Sequence, residues 1–336
     1  MVLPSVRLPA ERPLDDQLPN ELEDLLVQFR NSSEAIMEQF KRPWASAPAP
    51  NLIYHYTNDA GLRGILESGK IWLNDLFEMN DPSELRHGVE HAIELTKAMA
   101  QNRSAEMRFF ADHFDGIRKA GIQRSAHYFI ASFSSKGNEL GQWRAYADDG
   151  NGFALGFAGN PLELGFARSS NPGTTGVQSF SIRYNDAELH MLQERIVELI
   201  EPLILPPTDR GFPDNVLREY MRRLTLDFSV EIFRSALFFK HMDYHAEEEY
   251  RFQAIQRGDQ PPVGALSRHR PYGLVRYVEY DWRSNASGAL KKIMIGPAAD
   301  EVKARTFIAT CLDVFGYDPS KVVVQKSPTP YRSLHR

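Results

Sequence analysis

Apolar residues recur along the chain with two different periods, which predicts a mixture of helices and strands. Over residues 21–41 they have roughly helical spacing, which predicts one or two amphipathic helices. The first 18 residues contain repeated prolines and no apolar period, so they are expected to be disordered. The Pro- and Ala-rich stretch RPWASAPAPN predicts a linker. We therefore divide the chain into an N-terminal arm with its linker, residues 1–50, and one larger domain, residues 51–336.

Beyond the linker, short apolar runs alternate with longer helical patterns. The predicted strands are LIYHYT, KIWLN, HYFIASFS, GNGFALGF, VQSFSIRY, EEEYRFQAI, LVRYVEY, LKKIMIG and KVVVQK. The predicted helices are NDAGLRGILESG, ELGQWRAYAD and residues 85–119, 186–200, 213–240 and 299–316. Asn58 or Asp59 is expected to cap the first of these helices, and Gly69 to end it. Because the order lacks a strict strand–helix–strand rhythm, we predict an α+β fold.

Composition and charge exclude several classes of protein. The formal charge of -5 disfavours a nucleic-acid footprint over the whole surface. The single cysteine, Cys311, excludes an internal disulfide framework and is expected to be a buried small hydrophobe. No apolar run reaches about 18 residues, so no membrane span is predicted, and the Pro-containing N-terminus is not a Sec-type signal. We expect a bacterial cytoplasmic protein, or one delivered into a host cell by a route without that signal.

Motifs of familiar chemistry are scarce. Neither GxxxxGK[ST] nor HExxH occurs, and the glycines of GNGFALG precede a strand instead of joining a strand to a helix. In HMDYHAEEE, alternation would place His241, Asp243 and His245 on one strand face, where they could bind a metal with Glu247. A metal-dependent hydrolase or nuclease is therefore one alternative.

Two glutamates form a second candidate site. If residues 247–252 form a strand, Glu247, Glu249 and Arg251 share one face, and the two carboxylates lie about 7 Å apart. Carboxylates at this range can hold an oxocarbenium ion and steer a nucleophile. The alternative is an exposed edge strand whose Glu249–Arg251 ion pair has little energetic weight.

Polar side chains on two other predicted strands also have two interpretations. His55 and Thr57 flank Tyr56 and are either a satisfied core pair or part of a ligand site. Ser132 and Ser134 share one face of HYFIASFS and either bind a ligand or cap the exit of the chain into a loop.

Four blocks in one order resemble the bacterial domain-of-unknown-function family 2971 over residues 52–326, including the turn Asn80-Asp81-Pro82-x-Glu84. The blocks are LIYHYTNDAGLRGILESGKIWLNDLFEMNDPSEL, ASFSSKGNELGQWRAYADDGNGFALGF, FFKHMDYHAEEEYRFQAI and KKIMIGP. The first block also resembles the opening of an ADP-ribosyltransferase domain, where a His-x-Thr strand precedes a GLxxIL helix and a G-x-(I/L) strand. In that family a Ser or Tyr element and a strand with a catalytic Glu, often Glu-x-Glu, follow. The resemblance implies a mixed, mostly antiparallel split β-sheet flanked by helices.

The same resemblance implies chemistry and residue roles. NAD would be the co-substrate, with no metal. Glu249 would stabilise the oxocarbenium ion, and Glu247 would orient or deprotonate the acceptor, although which of the two is catalytic stays open. The residues implied to bind NAD are His55, Tyr56, Thr57, Ser132, Ser134, Tyr146 and Arg251.

The expected function is therefore an NAD-dependent ADP-ribosyltransferase or NAD glycohydrolase, in a toxin, effector or phage-defence enzyme. The acceptor would be a protein or a nucleic acid, and an antitoxin or regulatory partner is expected at the N-terminal arm. A non-catalytic ligand-sensing or protein-binding domain of the same fold is the alternative. Glu249→Gln is expected to fold normally, because a strand carboxylate in a wet cleft contributes little packing.

Overall fold

A computed structural model describes residues 18–45, 48–78, 83–120, 126–169, 172–174, 176–204, 211–257, 261–270 and 273–333. The helices are α1 (Asn20–Ala45), α2 (Asp59–Ser68), α3 (Ser83–Gln101), α4 (Ala105–Ala120), α5 (Leu140–Tyr146), α6 (Gly159–Arg168), α7 (Asp186–Glu198), α8 (Asp214–Ala236), α9 (Trp282–Asn285) and α10 (Glu301–Val314). The strands are β1 (Leu52–Thr57), β2 (Lys70–Asp75), β3 (Ala126–Ser134), β4 (Phe153–Ala158), β5 (Gly176–Ser181), β6 (Glu249–Arg257), β7 (Leu266–Arg270), β8 (Gly273–Asp281), β9 (Leu290–Ile295) and β10 (Val323–Lys326). Residues 1–17, for which disorder is predicted, and residues 79–82, for which a turn is predicted, lie outside the described ranges.

These ten strands form one sheet in the order β10-β9-β4-β1-β3-β2-β8-β7, with β6 and β5 branching from β3. The pairs are antiparallel except for β9 with β10, which is parallel. The prediction of an α+β fold with a mixed, mostly antiparallel sheet is confirmed.

The sheet splits at β3. One edge of β3 pairs with β6 along its whole length. The other edge pairs with β1 at Tyr54–Ser134 and with β2 at Asn74–Ile130. Strands β1 and β2 therefore leave β3 at different points, and α2 connects them. The connection has the predicted caps: Asn58 accepts a hydrogen bond from the Gly61 amide, and Gly69 ends α2 in the left-handed conformation, with φ 69°.

The two faces of the sheet are covered differently. Phe129 and Phe133 belong to a large apolar cluster that includes α2, α6 and α10, and Cys311 is buried there as predicted. The opposite face carries two smaller clusters. One surrounds Trp143 of α5, and the other includes Ile130 and the end of α8. The stretch of β3 and β6 between these two clusters is polar and holds four of the candidate residues, Ser132, Ser134, Glu249 and Arg251.

Helices α1, α3, α4, α7 and α8 share one apolar cluster. Three ion pairs join α1 to α8: Glu23–Arg223, Arg30–Asp227 and Glu34–Arg234. Because the residue numbers increase in the same direction in both helices, the two helices run parallel. Helix α1 also extends to Ala45, into the segment predicted as a linker. The expected division after residue 50 stays a prediction, but α1 is built into a layer made with later helices. None of the described helices is long and apolar enough to cross a membrane.

Candidate functional site

Three distant segments of sequence meet on the adjacent strands β1, β3 and β6. Across β3 and β6, Ser134 lies opposite Glu249, and Ser132 lies opposite Arg251. Directly paired residues of antiparallel strands point to the same face, so these four side chains share one face. Tyr54 of β1 pairs with Ser134 and extends this face across the split. The structure thus brings together Ser132, Ser134, Glu249 and Arg251 as the sequence predicts.

His55 and Thr57 point to the other face, because successive side chains of a strand alternate. The His55 ring lies 5.4 Å from that of Phe133, within the large apolar cluster. The two residues share a face with each other, as alternation predicts, but the sheet separates them from the side chain of Glu249. Their assignment to NAD stays a prediction.

The His55 side chain nevertheless bonds to the backbone of β3. Its Nδ1 lies 3.2 Å from the carbonyl oxygen of Ser132, beyond the last bridge between β1 and β3. A carbonyl only accepts, so Nδ1 carries the proton and donates it. Burial lowers the pKa of His55, and the bond to Ser132 offsets this in part. The neutral His55 imidazole therefore donates to the Ser132 carbonyl at the point where β1 and β3 are no longer paired.

Glu249 is buried, with 5% of its surface exposed. Its Oε1 accepts from Nε of Arg251 at 2.5 Å, and its Oε2 accepts from Nη2 at 3.0 Å. Strand β6 pairs with β3 on one side and β5 on the other, so it is not an edge strand. The expectation that Glu249 lines a wet cleft is therefore wrong. The alternative, a surface ion pair on an edge strand, is wrong as well.

Lys240 joins the two glutamates. Its ammonium donates to Oε2 of Glu247 and, at 3.3 Å, to Oε2 of Glu249. It also lies 4.8 Å from the centre of the Tyr244 ring. Lys240 is 3% exposed. Lys240 is not among the residues predicted from the sequence, although a lone cation at the end of the apolar run ALFFK is a signal of a buried charge.

Arg251 connects this cluster to the helical layer. Its Nη1 donates to the carbonyl oxygen of Leu237 at 3.4 Å, at the C-terminal end of α8. The C-terminal end of a helix carries partial negative charge, which favours nearby cations. The end of α8 therefore stabilises the charge of Arg251.

The charges around Glu249 decide its protonation. Burial would raise the pKa of its carboxyl, but Arg251, Lys240 and a hydrogen bond from Ser132 outweigh burial and lower the pKa to about 2. Its backbone amide donates to the Tyr184 hydroxyl at 2.9 Å. Glu249 is consequently a fixed negative charge at physiological pH.

Glu247 does not lie on the strand. It ends a short 3-10 helix, Met242–Glu247, and Glu248 follows with φ 39°, so the chain turns before β6 begins. The prediction that alternation along one strand brings Glu247 and Glu249 together is therefore wrong. The two carboxylates converge through the turn and through Lys240. The Glu247 side chain, with 19% of its surface exposed, is the more accessible one.

The same turn removes the predicted metal geometry. His241, Asp243 and His245 lie before or within a 3-10 helix, so alternating positions do not share a face. Nδ1 of His245 donates to the Met242 carbonyl at 2.9 Å. In the part of the chain that the structure describes, no group of three His, Cys, Asp or Glu side chains is arranged to hold a metal.

The serines have different surroundings. Ser132 is half-buried and bonds to Glu249. The Ser134 hydroxyl donates to the Glu247 carbonyl at 2.6 Å and accepts from the Lys136 amide at 3.0 Å. Ser134 thus fixes the turn that carries Glu247, which is the capping role that the sequence left open.

The two candidate tyrosines also differ. Tyr56 is buried on the face that carries Ser134 and Glu249, and its hydroxyl donates to the Lys136 carbonyl at 2.7 Å. Tyr146 is 54% exposed at the end of α5, which lies beside the turn that carries Glu247. Of the two rings, Tyr146 is the one that a ligand at this turn can reach.

Searches of the curated proteins and of the solved structures gave no match. The one family found covers α5 to β6, and therefore Tyr146, Lys240, Glu247, Glu249 and Arg251. Over residues 142–252 the chain matches the family described as protein of unknown function (DUF2971), which confirms the resemblance to family 2971 for this part of the chain.

Proposed function

We propose that the chain is an NAD-dependent ADP-ribosyltransferase acting on a macromolecular acceptor. The observation that carries the proposal is the meeting of Ser132, Glu247 and Glu249 at the split between β1 and β2. These groups come from sequence blocks that occur in the transferase order. The role as a toxin, effector or phage-defence enzyme stays a prediction, as does a regulatory partner at the N-terminal arm.

The chemistry needs little beyond fixed charge. The bond between nicotinamide and C1′ of the ribose breaks, and its electron pair leaves with nicotinamide. Glu249, ionised at physiological pH, stabilises the resulting oxocarbenium ion. The acceptor then bonds to C1′ and gives its proton to Glu247, the more exposed carboxylate. Water in place of the acceptor would yield free ADP-ribose.

Arg251 and Lys240 offset the charge of Glu249, so the reaction requires one of them to turn toward the substrate. Lys240 is suited to this because its ammonium is a point charge on a flexible stem. In the proposed complex Lys240 bonds to the diphosphate of NAD, so that Glu249 keeps only one of its two cationic partners, Arg251. Arg251 stays in place, held by Glu249 and by the end of α8.

The test measures nicotinamide release and labelling of lysate macromolecules from labelled NAD, with wild type, Glu247→Gln and Glu248→Gln. Wild type is expected to do both. Glu247→Gln should lose labelling by about 100-fold but keep slow NAD hydrolysis, since it lacks only the acceptor base. Glu248→Gln is the matched control, because Glu248 is an exposed neighbour bonded to Ser135 and Lys136. A folded wild type that releases no nicotinamide, with or without lysate, would overturn the proposal.

A non-catalytic ligand-binding domain is the second candidate. It is favoured by the burial of Glu249 and by the bonds that both its oxygens already make to Arg251 and Lys240. This candidate predicts a thermal shift on adding NAD without nicotinamide release, and the same assay separates the two.

A further inference from the structure

An open part of the sheet lies on the same face as Ser132 and Glu249, on the other side of the split. It consists of β2, β8 and the edge strand β7. Asn74 of β2 pairs with Ile130 of β3 and with Tyr277 of β8, and Tyr277 pairs with Leu266 of β7. Paired residues share a face, so this surface continues the face that carries Ser132.

Two aromatic rings stack at the centre of this surface. Trp72 and Tyr277 lie 4.3 Å apart between ring centroids, with 27° between their planes. Tyr277 is buried beneath, whereas Trp72 is 43% exposed. Tryptophan is usually buried, so an exposed indole supported by a second ring is a prepared surface for a flat ligand.

The charges on this surface are unevenly placed. Glu279 lies directly opposite Trp72 and pairs with Lys70, and Asp281 beyond it caps α9. At the other end Arg268 and Arg270 follow each other on β7 at alternating positions, hence on the same face. Nε of Arg268 donates to Asn74 at 2.9 Å, which holds this guanidinium beside the aromatic pair. Arg268 thus lies beside the aromatic pair, whereas Arg270 lies farther along β7, opposite Gly273, where its Nη1 donates to the Glu78 carbonyl at 2.7 Å.

We propose that this face of β2, β8 and β7, named here the Trp72 surface, binds single-stranded nucleic acid. A base would stack on the exposed side of Trp72, Arg268 would bind the phosphate beside it, and Arg270 would bind a phosphate farther along β7. Stacking on an aromatic side chain combined with cations along the backbone is how proteins bind single strands without reading sequence. The proposal goes beyond the proposed NAD chemistry, and it favours nucleic acid over protein as acceptor.

The surface suits single strands better than a duplex. A duplex hides the faces of its bases, whereas a single strand offers each of them to an indole. The chain carries a net charge of -5, so attraction must come from the local arginines and should be weakened strongly by salt.

The test is fluorescence anisotropy with labelled 12-nucleotide oligo(dT) and oligo(rU), at 50 and 200 mM salt and without NAD. Wild type is expected to bind both single strands more tightly than a duplex of the same length. Trp72→Ala should weaken binding about tenfold or more. The double variant Arg268→Gln/Arg270→Gln should weaken it and lower the salt slope by about 1.4, two phosphates at 0.7 each.

Two control variants test whether the loss of binding is specific to the Trp72 surface. Leu274→Ala changes an exposed side chain on the opposite face of β8, and Lys303→Gln removes an exposed cation on α10. Both should bind like wild type. Absence of binding by wild type, or equal loss in Lys303→Gln and the arginine variant, would overturn the proposal. The binding assay contains no NAD, so failure of the NAD chemistry would not be mistaken for failure here.

Discussion

At the residue scale, the chemistry of this site depends on how Glu249 is paired. A carboxylate with 5% of its surface exposed has lost most of its hydration, and that cost is offset only by its charged partners. Arg251 supplies two donors and Lys240 a third. Glu249 therefore contributes to folding as well as to the proposed reaction.

Glu249→Gln should accordingly be destabilised, by about 3 kcal/mol, because it leaves buried cations without their counter-charge. The expectation that the variant folds normally assumed a wet cleft, which the burial of Glu249 contradicts. Urea unfolding of wild type and Glu249→Gln measures the difference. Glu248→Gln, at an exposed position next to it, should lose no more than about 1 kcal/mol. Equal stability of all three proteins would contradict the buried ion cluster.

The same carboxylate makes stability depend on pH. Its pKa is about 2 in the folded state, below the value of about 4.3 expected for an unfolded chain. A lowered pKa stabilises the fold above the unfolded pKa, and this contribution is lost as pH falls through the folded pKa. The gap in unfolding free energy between wild type and Glu249→Gln should therefore shrink between pH 5 and pH 2. A gap that stays constant over this range would count against an ionised Glu249.

At the element scale, the route of the chain between β3 and α5 depends on small residues around Tyr54. Gly156 pairs with Tyr54 across β1 and β4, and Gly137 lies over the same ring. A Cβ built at Gly137 would be 2.5 Å from Cε1 and Cζ of Tyr54. The absence of a side chain there lets the loop that follows Ser134 close over the strand.

Gly137→Ala is expected to destabilise the fold by about 1–3 kcal/mol, because the buried Tyr54 ring must move. Gly64→Ala is a matched substitution with the opposite expected sign. Gly64 is exposed in α2 with open space around it, and alanine should add about 0.5–1 kcal/mol of stability. Thermal unfolding of both variants checks the pair, and a stabilised Gly137→Ala would show that the contact is not tight.

The elements show what sequence can and cannot predict here. Periodicity located most of the strands and the long helices, because each buries one face. It missed α6, a ten-residue helix, and β7, whose LSRHR pattern has little apolar content. It also extended the β6 strand back over Glu247, since nothing local signals the left-handed Glu248. Alternation correctly predicted that His55 and Thr57 share a face of the strand. It could not predict which face of the sheet this is, because that depends on pairing with a strand far along the chain.

At the scale of the whole molecule, the helical layer depends on packing between the first long helix and a much later one. The Phe29 side chain of α1 is fully buried, and its ring lies 6.4 Å from that of Phe228 of α8. Phe110 and Phe114 of α4 meet the same Phe228 ring at 5.2 and 4.8 Å. One aromatic group thus joins three helices.

Phe29→Ala should cost about 3–5 kcal/mol through the cavity that it leaves. Hydrogen exchange should become faster in α1, α4 and α8 before it changes in β3 and β6, which belong to other clusters. Val27→Ala, at an exposed position of α1, should change stability by no more than about 0.5 kcal/mol. Unchanged exchange in α4 and α8 would mean that α1 is a separable arm after all.

The packing of α1 against α8 also determines when, during synthesis of the chain, α1 can reach its final contacts. Its three ion pairs join residues 197 to 200 positions apart. At about 5–20 residues per second, a ribosome needs roughly 10–40 s to make the chain between them. During that interval the apolar stripe of α1, Leu22, Leu26 and Phe29, lacks the helix that later covers it. The packing of α1 is thus completed only when α8 emerges, and until then its apolar stripe is accessible to a chaperone that binds apolar helices.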